Sequence, residues 1–154
     1  MNDLQTHHAS RVILATPRAI FRALIDPEAI ASWRPPRGMS ARITAFDARR
    51  GGGYRMEFRY DEAGDNVGKT LPGVDVVCGT FVELVADEQI VEAVRFETDD
   101  AAFAGTMTIT TTLEPDRDGT RVTIVAANVP PGISEDDHRA VMDSTLKNLA
   151  NFIE

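Results

Sequence analysis

Residues 54–60 read YRMEFRY. Tyr54, Met56, Phe58 and Tyr60 share one parity, and Arg55, Glu57 and Arg59 share the other. A period of two with apolar side chains on one side marks an antiparallel strand with one face buried and one in water. Working outward, the same period recurs. Residues 43–46 lie upstream, across the turn Arg49-Arg50-Gly51-Gly52-Gly53. Downstream, 74–85, 90–97, 105–113 and 121–127 read as further strands. Asp87-Glu88 and Asp118-Gly119 are turn signals, and the turn at Asp99-Asp100 is longer. A first strand is predicted over 9–15, with Val12 and Leu14 alternating against Arg11 and Ile13.

Around this run of strands the period changes. Thr16 precedes Pro17, an N-cap before a proline at the first helical position. Ile20, Phe21, Leu24 and Ile25 give that helix an apolar face, and Asp26-Pro27 ends it. A second short helix runs from Pro27 to about Ser32 and into Trp33, before the proline-rich RPPRGM of 34–39. Near the other end, Ser134 with Asp137 three residues on forms a capping-box-like start, and Glu135, Asp136 and Asp137 suit the helix dipole. The stripe Val141, Met142, Thr145, Leu146, Leu149, Phe152 and Ile153 follows. An antiparallel sheet needs its apolar face covered, and the long terminal helix is the available cover. The expected fold is α+β, a single domain over 1–154: a curved antiparallel sheet of six to seven strands wrapped on a C-terminal helix, with two short helices after the first strand.

Composition narrows the partners. The chain has 154 residues and a formal net charge of −8, an acidic balance that repels nucleic-acid phosphates and anionic membrane surfaces. The single cysteine, Cys78, makes no internal disulfide, which suits a reducing compartment. No apolar run is long enough to span a bilayer, and MNDLQTHHAS lacks a basic-then-apolar signal pattern. A cytoplasmic location is expected.

Four stretches together resemble a known superfamily: RAIFRALIDPEAIASW, FDARRGGGYRMEFRY, CGTFVELVADEQIV and GTRVTIVAANVPPGI. They are similar to the SRPBCC (START-like, helix-grip) proteins, and within them to bacterial proteins related to the C-terminal domain of the heat-shock-protein-90 ATPase activator. The resemblance implies a cavity between sheet and terminal helix. It also implies a homodimer and, through the family's name, a chaperone as partners to consider. The chain departs from many relatives after Trp33, where Arg34-Pro35-Pro36 replace a second aromatic and a glycine.

The residues themselves offer several chemical readings. Gly68-Lys69-Thr70 ends like a phosphate-cradling loop, but Ala63 stands where the motif needs glycine, and Leu71-Pro72-Gly73 follows where a helix should begin. A nucleotide loop is rejected. His138, in the first turn of the terminal helix, shares a face with Met142 and Thr145 and is placed to anchor or protonate a ligand. His7 and His8, adjacent in a strand, point to opposite faces and cannot readily share an ion. They read as terminal residues without a role, and no metal or other cofactor is expected. Glu57 reads as solvent-facing. Glu83 is ambiguous in parity. Cys78 has no nearby base.

The leading expectation is a binding module for an apolar small molecule. Its cavity-lining set is Trp33, Tyr54, Met56, Phe58, Tyr60, Phe96, Met107, His138, Met142 and Thr145, with Trp33 near the opening. The alternatives are an enzyme of the cyclase or hydrolase kind using His138 or Glu83, and a chaperone-interacting domain. No catalytic residue is assigned.

Overall fold

A computed structural model describes residues 5–35, 38–61, 70 and 73–154. Seven strands form one antiparallel sheet: β1 (Gln5–Ile13), β2 (Met39–Phe46), β3 (Gly53–Tyr60), β4 (Val74–Val85), β5 (Gln89–Phe96), β6 (Met107–Asp116) and β7 (Gly119–Val129). Their spatial order is β1-β7-β6-β5-β4-β3-β2, so β2 to β7 form a meander and β1 closes the far edge against β7. Helices α1 (Pro17–Ile25) and α2 (Pro27–Trp33) connect β1 to β2, a 3-10 turn at Ala101–Phe103 sits between β5 and β6, and α3 (Glu135–Ile153) ends the chain. This is the α+β helix-grip arrangement.

Local chemistry sets the helix starts. Thr16 Oγ1 accepts from the Ala19 amide at 3.1 Å, and Ser134 Oγ from the Asp137 amide at 3.1 Å. Asp26 both ends α1 and caps α2, accepting from the Glu28 amide at 3.0 Å. Each bond satisfies an amide that a helix cannot pair internally. At its far end α3 is tied back to the sheet, where Glu154 Oε2 accepts from the Leu14 amide at 2.9 Å. Asn148 Nδ2 donates to the Pro35 carbonyl at 2.9 Å, joining α3 to the segment after α2.

The core lies between the inner sheet face and the helices. Ile13, Ile20, Phe21, Ile30, Leu113, Val122, Leu146 and Leu149 belong to one buried apolar cluster. Three details differ from the sequence-based expectation. In β1 the inward parity is His7, Ala9 and Ile13, while Leu14 is 60% exposed beyond the strand's end. The strand also begins earlier than residue 9, which carries His7 into the sheet. Phe152, expected on the buried stripe of α3, is 49% exposed, because it falls on the helix's outer edge in the last turn.

The phosphate-loop reading falls mostly outside the described residues. Thr70 is described: its hydroxyl accepts from the Val76 amide at 2.8 Å at the start of β4, and a strand rather than a helix follows it.

Candidate functional site

The helix does not fill the space above the sheet. A cavity of about 430 Å³ remains between them, in the range of small-molecule sites. Its wall is mainly apolar, drawn from the inward parity of β3 to β7 and from α3. Eight of the ten residues expected to line it do so: Trp33, Phe58, Tyr60, Phe96, Met107, His138, Met142 and Thr145.

Tyr54 and Met56 do not, and the reason is local. Both are buried nearer the start of β3 than Phe58. The Tyr54 ring packs between Phe46 and Phe81 and lies over Gly79 of β4, its cross-strand partner. A β-carbon on Gly79 would come 2.2 Å from Tyr54 Cζ, so only glycine admits the ring there. Trp33 is also buried rather than at the opening, with its indole N–H donating to the Ala23 carbonyl at 3.0 Å.

The cavity has a graded exposure. At one end its lining is partly open to water: Tyr60, Phe96, Phe103, His138 and Val141, the last 44% exposed. We term this end the mouth. The residues Trp33, Phe81, Ile90, Glu92, Val122, Leu146 and Leu149 are buried and form the floor.

Each end carries a tyrosine hydroxyl on a carboxylate. On the floor, Tyr54 Oη donates to Glu92 Oε1 at 2.7 Å. Burial pushes the Tyr54 phenol well above its usual range, the Glu92 charge adds to the push, and Arg34 beside the hydroxyl opposes it. At the mouth, Tyr60 Oη donates to Asp75 Oδ2 at 3.1 Å, and burial with the Asp75 charge pushes that phenol up to about 12.

A chain of hydrogen bonds also reaches the mouth from β1. Gln5 Nε2 donates to the Ile133 carbonyl at 2.9 Å, which fixes the amide's orientation because a carbonyl only accepts. Gln5 Oε1 then accepts from His7 Nε2 at 3.1 Å. A neutral His7 with its proton on Nε2 offers a bare Nδ1, so His138 donates from its own Nδ1 across 2.8 Å. The proton of a neutral His138 is thereby held on Nδ1, and its Nε2 is the basic nitrogen of the ring. His7, expected to be a terminal residue without a role, is 1% exposed and positions His138.

The remaining candidates lie elsewhere. Glu83 is exposed, because a β-bulge between Phe81 and Glu83 turns both Val82 and Glu83 outward; it is no acid–base group for this cavity. Glu57 stands on the outer face near Arg55, at 3.6 Å. Arg55 Nε also donates to Glu97 Oε2 at 2.8 Å, and the Cys78 thiol donates to that same oxygen at 3.3 Å. The Arg55 bond holds the Glu97 carboxyl below its usual range, while burial pushes the Cys78 thiol up. Among the described residues no group of three or more His, Cys, Asp or Glu is placed to hold a metal ion.

The sequence pattern gave no site role to Glu92, Asp75, Arg34 or His7. For three of them a signal existed: Glu92 shares parity with Ile90 and Val94, Asp75 with Val77, and His7 with Ala9.

Comparison with known proteins places the chain in a family. A family model described as activator of Hsp90 ATPase homolog 1-like protein matches residues 14–154. No curated protein matches the chain. A crystal structure of a Chromobacterium violaceum protein superposes with a TM-score of 0.85 at 35% identity, over 97% of this chain and 96% of that one. An AHSA1-like protein from Aeromonas hydrophila shares the fold at 16% identity and a TM-score of 0.74, over 97% and 92% of the two chains. A Nitrosomonas europaea protein does so at 20% identity and 0.72, over 99% and 96%. Among the described residues no helix is long and apolar enough to cross a membrane.

Proposed function

The chain belongs to the activator of Hsp90 ATPase homolog 1-like family, and from that premise we propose that it binds an apolar small molecule in the cavity between the sheet and α3. The observation that carries this reading is the cavity itself: about 430 Å³ of space behind a helix whose inward side chains are otherwise well packed. A protein core normally closes to crystal-like density, and the lining here forgoes that contact. The gradient from open mouth to buried floor supports entry at the His138 end. Met107 and Met142 give the wall adaptable surface.

The test is the native mass of the protein purified from its own host. A retained small molecule, released on unfolding, supports the reading. A bare chain that also takes up no apolar probe contradicts it.

One observation favours a second reading, catalysis, because His138 is held by buried His7 with its basic nitrogen defined. Turnover of a bound molecule that disappears in His138→Ala would favour it over simple carriage. Chaperone association rests on the family's name alone, and capture of a chaperone by the purified chain is its test.

A further inference from the structure

Glu92 sits in the middle of β5 between Ile90 and Val94 on the same face, and all three line the cavity. It is 6% exposed and accepts one hydrogen bond, from Tyr54 Oη. An ionised carboxylate has two oxygens and about four acceptor positions, so one donor leaves most of its capacity unused. Among the described residues, no Lys or Arg nitrogen forms an ion pair with it within 4.0 Å. Arg34 lies beside the Tyr54 hydroxyl rather than in direct contact with the Glu92 carboxylate; a buried carboxylate without a direct ion pair is costly, and a cation arriving with a guest offsets that cost.

Among the described lining residues, acidic side chains also outnumber basic ones. Asp75, Glu92 and Asp137 line the cavity against Arg34, the one Lys or Arg among the described lining residues. Trp33, Phe58 and Phe81 add aromatic rings to the lining, and the face of such a ring attracts cations. The chain as a whole carries a formal charge of −8, which concentrates cations at its surface.

We propose that the ligand is an apolar amine, with its protonated nitrogen donating to Glu92 and its hydrocarbon body filling the cavity. This rests on the cavity reading above and adds the polar group the guest must carry. Tyr54 holds one carboxylate oxygen in place, which leaves the other for the guest. The Tyr54 ring can reach that position because Gly79 leaves room for it. Arg34 flanks the same hydroxyl and is the group a carboxylate ligand would seek instead.

The experiment compares octylammonium, 1-octanol and octanoate, each titrated at neutral pH and followed by calorimetry and Trp33 fluorescence. Octylammonium should bind at least about tenfold tighter than 1-octanol, as a charge-assisted hydrogen bond requires, with octanoate weakest. Glu92→Gln should bring octylammonium down to the 1-octanol level and leave 1-octanol unchanged, which also shows that the variant cavity is intact. Arg34→Met, which keeps Glu92 and removes the competing cation, should tighten octylammonium. Equal affinity for octylammonium and 1-octanol, octanoate as the tightest guest, or a preference that survives Glu92→Gln would overturn the proposal while the cavity reading stands. If Glu92→Gln loses 1-octanol binding as well, Arg34→Met decides: tighter octylammonium supports the proposal, and unchanged or weaker binding overturns it. If none of the three probes binds wild type, the cavity reading falls and this proposal with it.

Discussion

The floor and the mouth of the cavity use the same pairing, a tyrosine hydroxyl on a carboxylate, in different surroundings. At the floor Tyr54 and Glu92 are both buried, and the oxygens stand 2.7 Å apart. At the mouth Asp75 is buried but Tyr60 is only partly so, and the separation is 3.1 Å. The difference teaches how one hydrogen bond changes value with water. Where neither partner can turn to solvent, losing the donor strands a buried acceptor; where water can replace it, the loss is small. The floor pair is therefore part of what holds the fold together, and the mouth pair contributes less to stability.

The largest expected effects are on the floor's apolar side. Leu149→Ala should cost roughly 2–5 kcal/mol in the urea midpoint, from lost burial and an enlarged void. His138→Ala, half-buried at the mouth, should cost only about 1 kcal/mol. Equal losses for the two would erase the distinction between a structural floor and an open mouth. Next come the tyrosines. Tyr54→Phe leaves Glu92 buried without the hydroxyl that donates to it and should destabilise by about 1–3 kcal/mol, against about 0.5–1.5 kcal/mol for Tyr60→Phe. The reverse order in denaturant unfolding would mean that Glu92 is better hydrated than its burial indicates.

Titration sharpens the same contrast. Tyr60 should ionise near pH 12 in ultraviolet difference spectra, and Tyr54 should stay protonated until the protein unfolds. The sign follows from the raised value. The neutral phenol's contribution is complete below about pH 10, the unfolded value, and is lost as pH rises through about 12. A folded protein in which both tyrosines ionise together would break the comparison. The smallest effect belongs to the outer sheet face, where Glu97 is partly exposed to solvent beside Arg55. Its lowered value means a contribution present above the ordinary glutamate range and lost as pH falls through the folded value. Glu97→Gln should flatten the acid limb of the stability curve slightly and leave the neutral plateau almost unchanged, because exposed ion pairs contribute little. A large change at neutral pH would contradict that.

Much of this was legible in the residues, for a physical reason. Alternation in YRMEFRY and the caps at Thr16 and Ser134 are local chemistry, and local chemistry survives into the fold. What was not legible depends on neighbours in space. The bulge that turns Glu83 outward is a property of the β4–β5 pairing and leaves no mark in alternation. His7 finds its partner 131 residues away on α3. In β1 both parities carry apolar residues, Val12 and Leu14 on one and Ala9 and Ile13 on the other, so alternation alone does not say which side faces the core. Glu92 is different, because its parity was readable. It alternates in step with Ile90 and Val94, whereas Tyr54, which donates to it, comes from 38 residues away and leaves no local signal.

The central claim is that the cavity takes an apolar guest, and calorimetric titration of wild type with 1-octanol tests it most directly, since that probe needs no partner charge. The account predicts saturable one-to-one binding whose enthalpy falls as temperature rises, the negative heat-capacity change of apolar surface leaving water. Heats indistinguishable from dilution at every temperature would contradict it.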